Sequence, residues 1–163
     1  MLEDSVNGAV TLRLATVFGV SQRLRLDLLI NDLVFKALTQ KKFEIYESNF
    51  RRTFLHIHDV ARAFVFAIEN YDKMKGHIYN VGGDALNYTK WEICQVIKKY
   101  VPDCEISPSE NGTDADKRDY QVSYEKIRSL GFTPEVTVEE GIEELIKVLP
   151  YMSTSYLKIT TNI

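Results

Sequence analysis

Few residues of this 163-residue chain are placed for chemistry by type and spacing alone. The three histidines, His56, His58 and His77, never stand at metal-ligand spacing on one helix, so the pattern offers no zinc site. Cys94 and Cys104 form neither a disulfide framework nor a metal box; they read as a core thiol and a loop thiol. Asn87-Tyr-Thr and Asn111-Gly-Thr spell glycosylation acceptors, and with no secretory signal at the N-terminus they are read as chance. Cations are the better candidates. Arg23 and Arg25 lie in the basic run Ser21 to Arg25, Arg52 in an arginine pair, and Arg118 in Lys117-Arg-Asp-Tyr120. An arginine presents a planar fork of donors that matches phosphate oxygens, although the Ser21–Arg25 run reads first as a solvated basic loop.

The elements that must carry these residues follow from hydrophobic period and stop signals. Val10 to Gly19 is a β-rich apolar run closed by glycine, and reads as one mostly buried strand. Asp27 is placed to cap a helix whose apolar residues, Leu29, Ile30, Leu33, Val34, Ala37 and Leu38, recur at helical spacing. Short strands are expected at Phe43–Tyr46 and Thr53–Ile57. Asp59 is then expected to cap a helix through about Asn70, with Val60, Ala63, Phe64, Ala67 and Ile68 on its apolar face. His77–Val81 reads as a strand ending at Gly82-Gly83. Thr89-Lys-Trp-Glu92 and Thr137-Val-Glu-Glu140 are capping boxes, in which hydroxyl and carboxylate each satisfy a free backbone N–H. The first opens a helix that stops before Pro102, with Trp91 and Tyr100 read as core; the second opens one ended by Pro150. Ser123 is placed to cap a short helix ending at Gly131, where a left-handed turn suits glycine.

Bulk properties bound the function. Apolar residues make up 45% of the chain and aromatic ones 11%, ordinary for a folded protein. The net charge of −3, with acids and bases interspersed, gives no electrostatic case for nucleic acid. No apolar run approaches the roughly 20 residues of a membrane span. The expectation is a cytoplasmic α/β domain over residues 1–150, with several crossovers, followed by a loosely packed tail over 151–163.

Four segments carry a resemblance. Arg13-Leu-Ala-Thr-Val-Phe-Gly19 resembles the R-x-x-N-V-Y-G strand of the extended short-chain dehydrogenase/reductases, the NAD-dependent sugar-nucleotide epimerases and dehydratases. Arg52-Thr-Phe-Leu-His-Ile-His-Asp-Val-Ala-Arg62 resembles that family's R-D-F-I-H-V-x-D-V-A-R. Tyr79-Asn-Val-Gly-Gly83 is similar to Y-N-I-G-G, and Ser123 to Pro134 to D-x-x-K-x-x-x-L-G-W-x-P. The four are collinear and correctly spaced over about Thr11 to Leu149.

The resemblance implies a fold: the C-terminal, substrate-binding part of an extended Rossmann-type enzyme, without the N-terminal dinucleotide-binding half. Family members receive the NAD(P) pyrophosphate on a glycine-rich turn, and none of the eight glycines here is arranged as one. The family's catalytic Tyr-x-x-x-Lys precedes the first matching strand and has no counterpart. Tyr71-Asp-Lys-Met-Lys75 spells that motif, yet it follows a helix that is ending, a surface connection in the family. The chain alone is therefore expected to bind no cofactor and to lack catalytic residues.

Site residues follow from the same resemblance. Arg52 matches the family arginine that reaches the substrate diphosphate, and Arg118 a second position near it. Tyr46, in Glu44-Ile-Tyr46, lies where the family places its nucleobase, so it is read either as a stacking platform or as a half-buried strand tyrosine. Arg23, Arg25 and Asn31 lie near substrate-contacting regions. Thr16 stands where many members have asparagine, Phe18 where many have tyrosine, and Thr53 replaces the usual aspartate after Arg52. His56 occupies a position that packs and hydrogen-bonds, and His58 reads as exposed. The partners implied are a nucleotide-diphosphate sugar and the absent Rossmann half, or self-association in its place. Without the strands of that half, Leu14, Val17, Phe64 and Ile68 are expected to be incompletely buried. The functional expectation is a sugar-nucleotide-binding fragment of such an enzyme; the alternative is a non-catalytic binding or interaction module.

Overall fold

A computed structural model of the chain describes residues 8–109 and 122–152. The apolar run at the start does not form one strand. It breaks at Ala15 into β1 (Thr11–Leu14) and β2 (Thr16–Phe18), because two different partners claim its halves. β1 lies parallel to β5 (Ile78–Val81), and the Ala15 N–H still donates to the Val81 carbonyl at 2.9 Å. β2 instead lies parallel to β4 (Arg51–His56), which also pairs antiparallel with β6 (Asn87–Thr89). A third pair joins β3 (Lys42–Tyr46) to β7 (Glu105–Ser109) in parallel.

Helices cover these pairs. α1 (Leu29–Thr39) buries Ile30, Leu33, Val34 and Ala37, as its period requires. Asp27 does not cap it: the residue at the cap is Leu28, with no side-chain bond, and Asp27 is drawn off by Arg25. α2 (Ile57–Glu69) likewise differs from expectation at its start, since the His56 ring, not Asp59, accepts from the first turn. Asp59 lies inside the helix and fully buried, accepting from the backbone N–H groups of Glu135 and Val136 at 3.0 and 2.9 Å and from Arg62 at 2.6 Å. One carboxylate thus fastens α2 to the connection that precedes α6 (Val138–Val148).

The one-turn α3 (Tyr71–Met74) follows α2, and beyond it both capping boxes form, on α4 (Lys90–Tyr100) and on α6. Gly131, with φ +103°, closes the turn after the short helix α5 (Glu125–Arg128), and the Ser123 hydroxyl accepts from Glu125 N–H at 3.4 Å. α6 packs against both α1 and α4. Its close approach to the strands depends on Gly141, where a Cβ would lie 2.5 Å from the Phe18 ring and 2.8 Å from that of His56. On α4, Trp91 is partly buried against the core while Tyr100 is 41% exposed, so the expected aromatic core pair is only half realised. Tyr100 occupies the last turn, beyond the reach of α6.

α2 is apolar over a wider arc than its packing uses. Val60, Ala63 and Ala67 are buried, whereas Phe64, Val65 and Ile68 are 52%, 53% and 75% exposed. Leu14 is also exposed and Val17 only half-buried, as the incomplete-burial expectation had it. Among the described residues β1 has a strand on one side only, and so does β5.

Candidate functional site

The basic loop after β2 is built by one asparagine. Gly19 turns with φ +114°, a conformation that L side chains rarely adopt. Its N–H donates to Asn31 Oδ1 at 3.2 Å, while Asn31 Nδ2 donates to the Arg25 carbonyl at 2.9 Å. Asn31 is buried and holds both ends of the loop with one amide. Midway, the fully buried Leu24 pins the loop to the core. Alternation then leaves Arg23 exposed.

A cavity of about 210 Å³ lies under this loop, lined by Gly19, Ser21, Arg23, Arg25, Leu28 and Asn31 together with Val17, Phe18 and Ile57. The N-terminus of α1 borders it without a side-chain cap, so its first N–H groups keep donor capacity and the positive end of the helix dipole. Arg25 is held by Asp27 through two bonds, at 3.1 and 2.6 Å. That bond lowers the Asp27 pKa and raises that of Arg25, so both stay charged. Arg23 makes no ion pair among the described residues and is the loop cation available to an anion.

Three of the sequence-predicted residues, Arg23, Arg25 and Asn31, therefore share one cavity. Thr16, half-buried on β2, directly precedes its lining residue Val17. Tyr46 and Arg52 lie elsewhere, against the start of α4. The Lys90 ammonium, itself buried, donates to the Tyr46 carbonyl at 3.1 Å, and Trp91 N–H donates to the Ser48 carbonyl at 3.0 Å. These bonds seat the turn between β3 and β4 on α4 and leave the Tyr46 ring 36% exposed. Arg52 pairs in register with Tyr88 and is 4% exposed. It is a wall residue, not the solvent-facing arginine its strand-start position describes. Arg118 lies outside the described residues.

The histidines divide as expected. His58 and His77 are exposed, and His56 is 1% exposed with Nε2 2.8 Å from Glu144 Oε2. Burial holds the His56 pKa below the ordinary imidazole value, against the opposing pull of Glu144. Sequence reading missed Lys90 and Glu144, because a helix lysine and a helix glutamate are solvated by default and only distant partners reveal otherwise. The two cysteines are both buried, and burial pushes Cys94 up to about 12, so neither is a ready thiolate. Tyr71 spends its hydroxyl on the Gly8 carbonyl at 2.5 Å, while Lys75 pairs with Asp72. That pairing leaves no acid/base couple there. Two larger hollows, of about 380 and 410 Å³, flank the 131–135 connection and contain none of the predicted residues.

Among the described residues no cluster of histidine, cysteine and acidic side chains could hold a metal, and no helix is long and apolar enough to cross a membrane. Nor do the described residues fit a dinucleotide. The N-termini of α2, α4 and α6 are closed by their own side chains, and residues 20–28, which lead into α1, contain no glycine and so form no glycine-rich turn.

Residues 4–82 match the model of the NAD dependent epimerase/dehydratase family. A dTDP-D-glucose 4,6-dehydratase of Mus musculus is 32% identical over 108 residues, which cover 60% of this chain and 28% of that protein. In fold, the chain is similar to the UDP-glucuronic acid 4-epimerase of Bacillus cereus, solved with UDP-glucuronic acid and NAD. The TM-score is 0.76 at 23% identity, over 88% of this chain and 46% of the epimerase. It is also similar to the dTDP-glucose 4,6-dehydratase of Bacillus anthracis, solved with NAD, with a TM-score of 0.70 at 24% identity over 86% and 44%. The chain thus spans under half the length of these solved enzymes and under a third of the mouse protein. By its ordered motifs, the match over residues 4–82 and the shared α/β fold, the chain is similar to the NAD-dependent epimerase/dehydratase family.

Proposed function

We propose that this chain binds the diphosphate of a nucleotide sugar, and that it is the substrate-binding portion of an epimerase or dehydratase that does not catalyse alone. The observation that carries the reading is the loop fixed at both ends by Asn31, which displays Arg23 beside the uncapped N-terminus of α1 over a cavity. Two independent sources of positive potential, a guanidinium and a helix dipole, converge there. Arg52, which lies outside that cavity, serves in this reading as a second cation, and Tyr46 offers its exposed ring to the base. Arg118 is the fourth residue of this proposed set.

Hydride transfer and proton transfer need a nicotinamide and an acid/base pair, and this sequence contains no glycine-rich turn or helix-borne Tyr-x-x-x-Lys. In this reading they come from a Rossmann-type partner segment. Its place is the exposed α2 face of Phe64, Val65 and Ile68 with the one-sided edge of β1. The length of the solved relatives, about twice the span matched here, supports that occupant.

Calorimetric titration with UDP, dTDP and their glucose esters tests the site. Weak binding that falls with ionic strength is expected. Arg52→Ala is expected to cost more than Arg23→Ala, because a contact to a buried cation is screened less by water and salt. Arg52→Lys, checked for an unchanged melting temperature, separates lost binding from lost folding. Equal losses for the two alanine variants, or no binding even when a family Rossmann half is supplied, would remove Arg52 from the site.

A further inference from the structure

Both nitrogens of the His56 ring are committed. Nδ1 accepts from the backbone N–H of His58 at 3.4 Å, and Nε2 meets Glu144 Oε2 at 2.8 Å. A ring that accepts at Nδ1 and faces a carboxylate at Nε2 is neutral, with its single proton on Nε2. Its slot is closed. A Cβ on Gly19 would lie 2.5 Å from Nε2, one on Gly141 would lie 2.8 Å from Cδ2, and Phe18 stands edge-on with ring centroids 5.3 Å apart. The Gly19 turn therefore rests directly on the imidazole.

The turn in turn fixes the basic loop, since Gly19 N–H and the Arg25 carbonyl share the amide of Asn31. We infer that His56 is the positioning residue of this loop, and that protonating it at Nδ1 releases the Gly19 turn, so that anion binding at Arg23 weakens as pH falls. This rests on the function proposed above for the cavity.

The chemistry is local. A proton on Nδ1 points at the N–H of His58, setting donor against donor. The ring cannot rotate between the two glycines, so it must shift, and the Gly19 turn lies in direct contact with it. The groups that bear on the proton come from both packed elements. On α2 they are His58, whose ring centroid is 4.8 Å away, and Asp59; on α6 they are Glu144 and Glu140. Burial is the largest influence and disfavours the imidazolium; the charge and hydrogen bond of Glu144 favour it and are outweighed. The sign follows. The loop is fully held where both folded and unfolded histidine are neutral, above the ordinary imidazole value of about 6.5. It is released as pH falls through the lower folded value.

NMR on the full 163-residue chain tests this without ligand. From pH 8 to 4.5, the Gly19 amide resonance is expected to shift with the same midpoint as the His56 ring, below the ordinary histidine value. Glu144→Gln removes the charge that favours protonation and moves that midpoint lower. His56→Gln, which keeps a donor toward Glu144 but cannot titrate there, abolishes it. With UDP-glucose as probe, whose diphosphate is esterified at both ends and does not titrate in this range, affinity is expected to drop about tenfold across the midpoint, within the usual span of coupling between sites, and to stay flat in His56→Gln. A Gly19 resonance indifferent to the His56 titration, or a midpoint unmoved by Glu144→Gln, would overturn the inference. UDP-glucose binding at no pH would instead sink the proposed function, since the Gly19 amide reads the coupling on its own.

Discussion

At the scale of single residues, Asp59 shows how one side chain's role is set by a distant segment. Its sequence context, an acid before an apolar helical run, describes a cap equally well, and no local rule separates the two. What decides is the backbone at 135–136, which arrives from far along the chain and offers two N–H groups to the carboxylate. Replacing Asp59 with alanine orphans both backbone donors, while Arg62, partly exposed, keeps Glu135. Each orphaned buried group costs about 1–3 kcal/mol, so a loss of about 3 kcal/mol in urea unfolding is expected, with Asp59→Asn recovering part of it. A loss under about 1 kcal/mol, no more than a surface ion pair contributes, would show that water replaces the carboxylate there. Arg52 is a similar case. Its family match was legible, but its burial was not, because the strands that enclose it are chosen by register and not by its neighbours in sequence.

At the scale of elements, legibility follows how local the determinants are. The two capping boxes were readable because each is complete within four residues, and both form with the expected bonds: Thr89 Oγ1 accepts from Glu92 N–H at 3.1 Å, and Thr137 Oγ1 from Glu140 N–H at 3.2 Å. Thr89→Ala and Thr137→Ala are each expected to cost about 1 kcal/mol, measured by chemical unfolding. A variant indistinguishable from the parent would show its helix to be held by packing alone. The first strand was the opposite case. Nothing between Val10 and Gly19 says that it must divide at Ala15, since the division is imposed by β5 on one half and β4 on the other. The same holds for β6, a three-residue strand whose pairing with β4 no period of so few residues can announce. The site divides along this line too. The basic loop was visible as composition, whereas the amide of Asn31 that shapes it became visible only once residues 19, 25 and 31 met.

At the scale of the whole molecule, the wide apolar arc of α2 and the edge of β1, one-sided among the described residues, are the surfaces on which the proposed partner segment would lie. Phe64, Val65 and Ile68 together present a face of the kind that marks a partner site or an association hazard. Sedimentation of the isolated chain is expected to show concentration-dependent association, reduced by the double substitution Phe64→Asp and Ile68→Asp, which adds charge where no core contact is lost. Co-expression with a family Rossmann half is expected to suppress association in the parent and to do so less in the double variant. A parent chain that stays monomeric at every concentration, with or without that half, would show the face to be merely tolerated.

The strand pairings carry one more consequence, for the order of events when the chain first folds. Thr11 must find Ile78, Thr16 must find Phe54, and Lys42 must find Glu105. Three of the four pairings are parallel, so no tight hairpin can seed them, and each waits on closure of a long loop. The capped helices α4 and α6 nucleate from signals inside their own first turns, so they can form before the surfaces they pack against exist. Folding is then limited by the search of residues 11–18 for two separate partners. On a ribosome that search cannot end until β5 has emerged, by which point α2 is already synthesised.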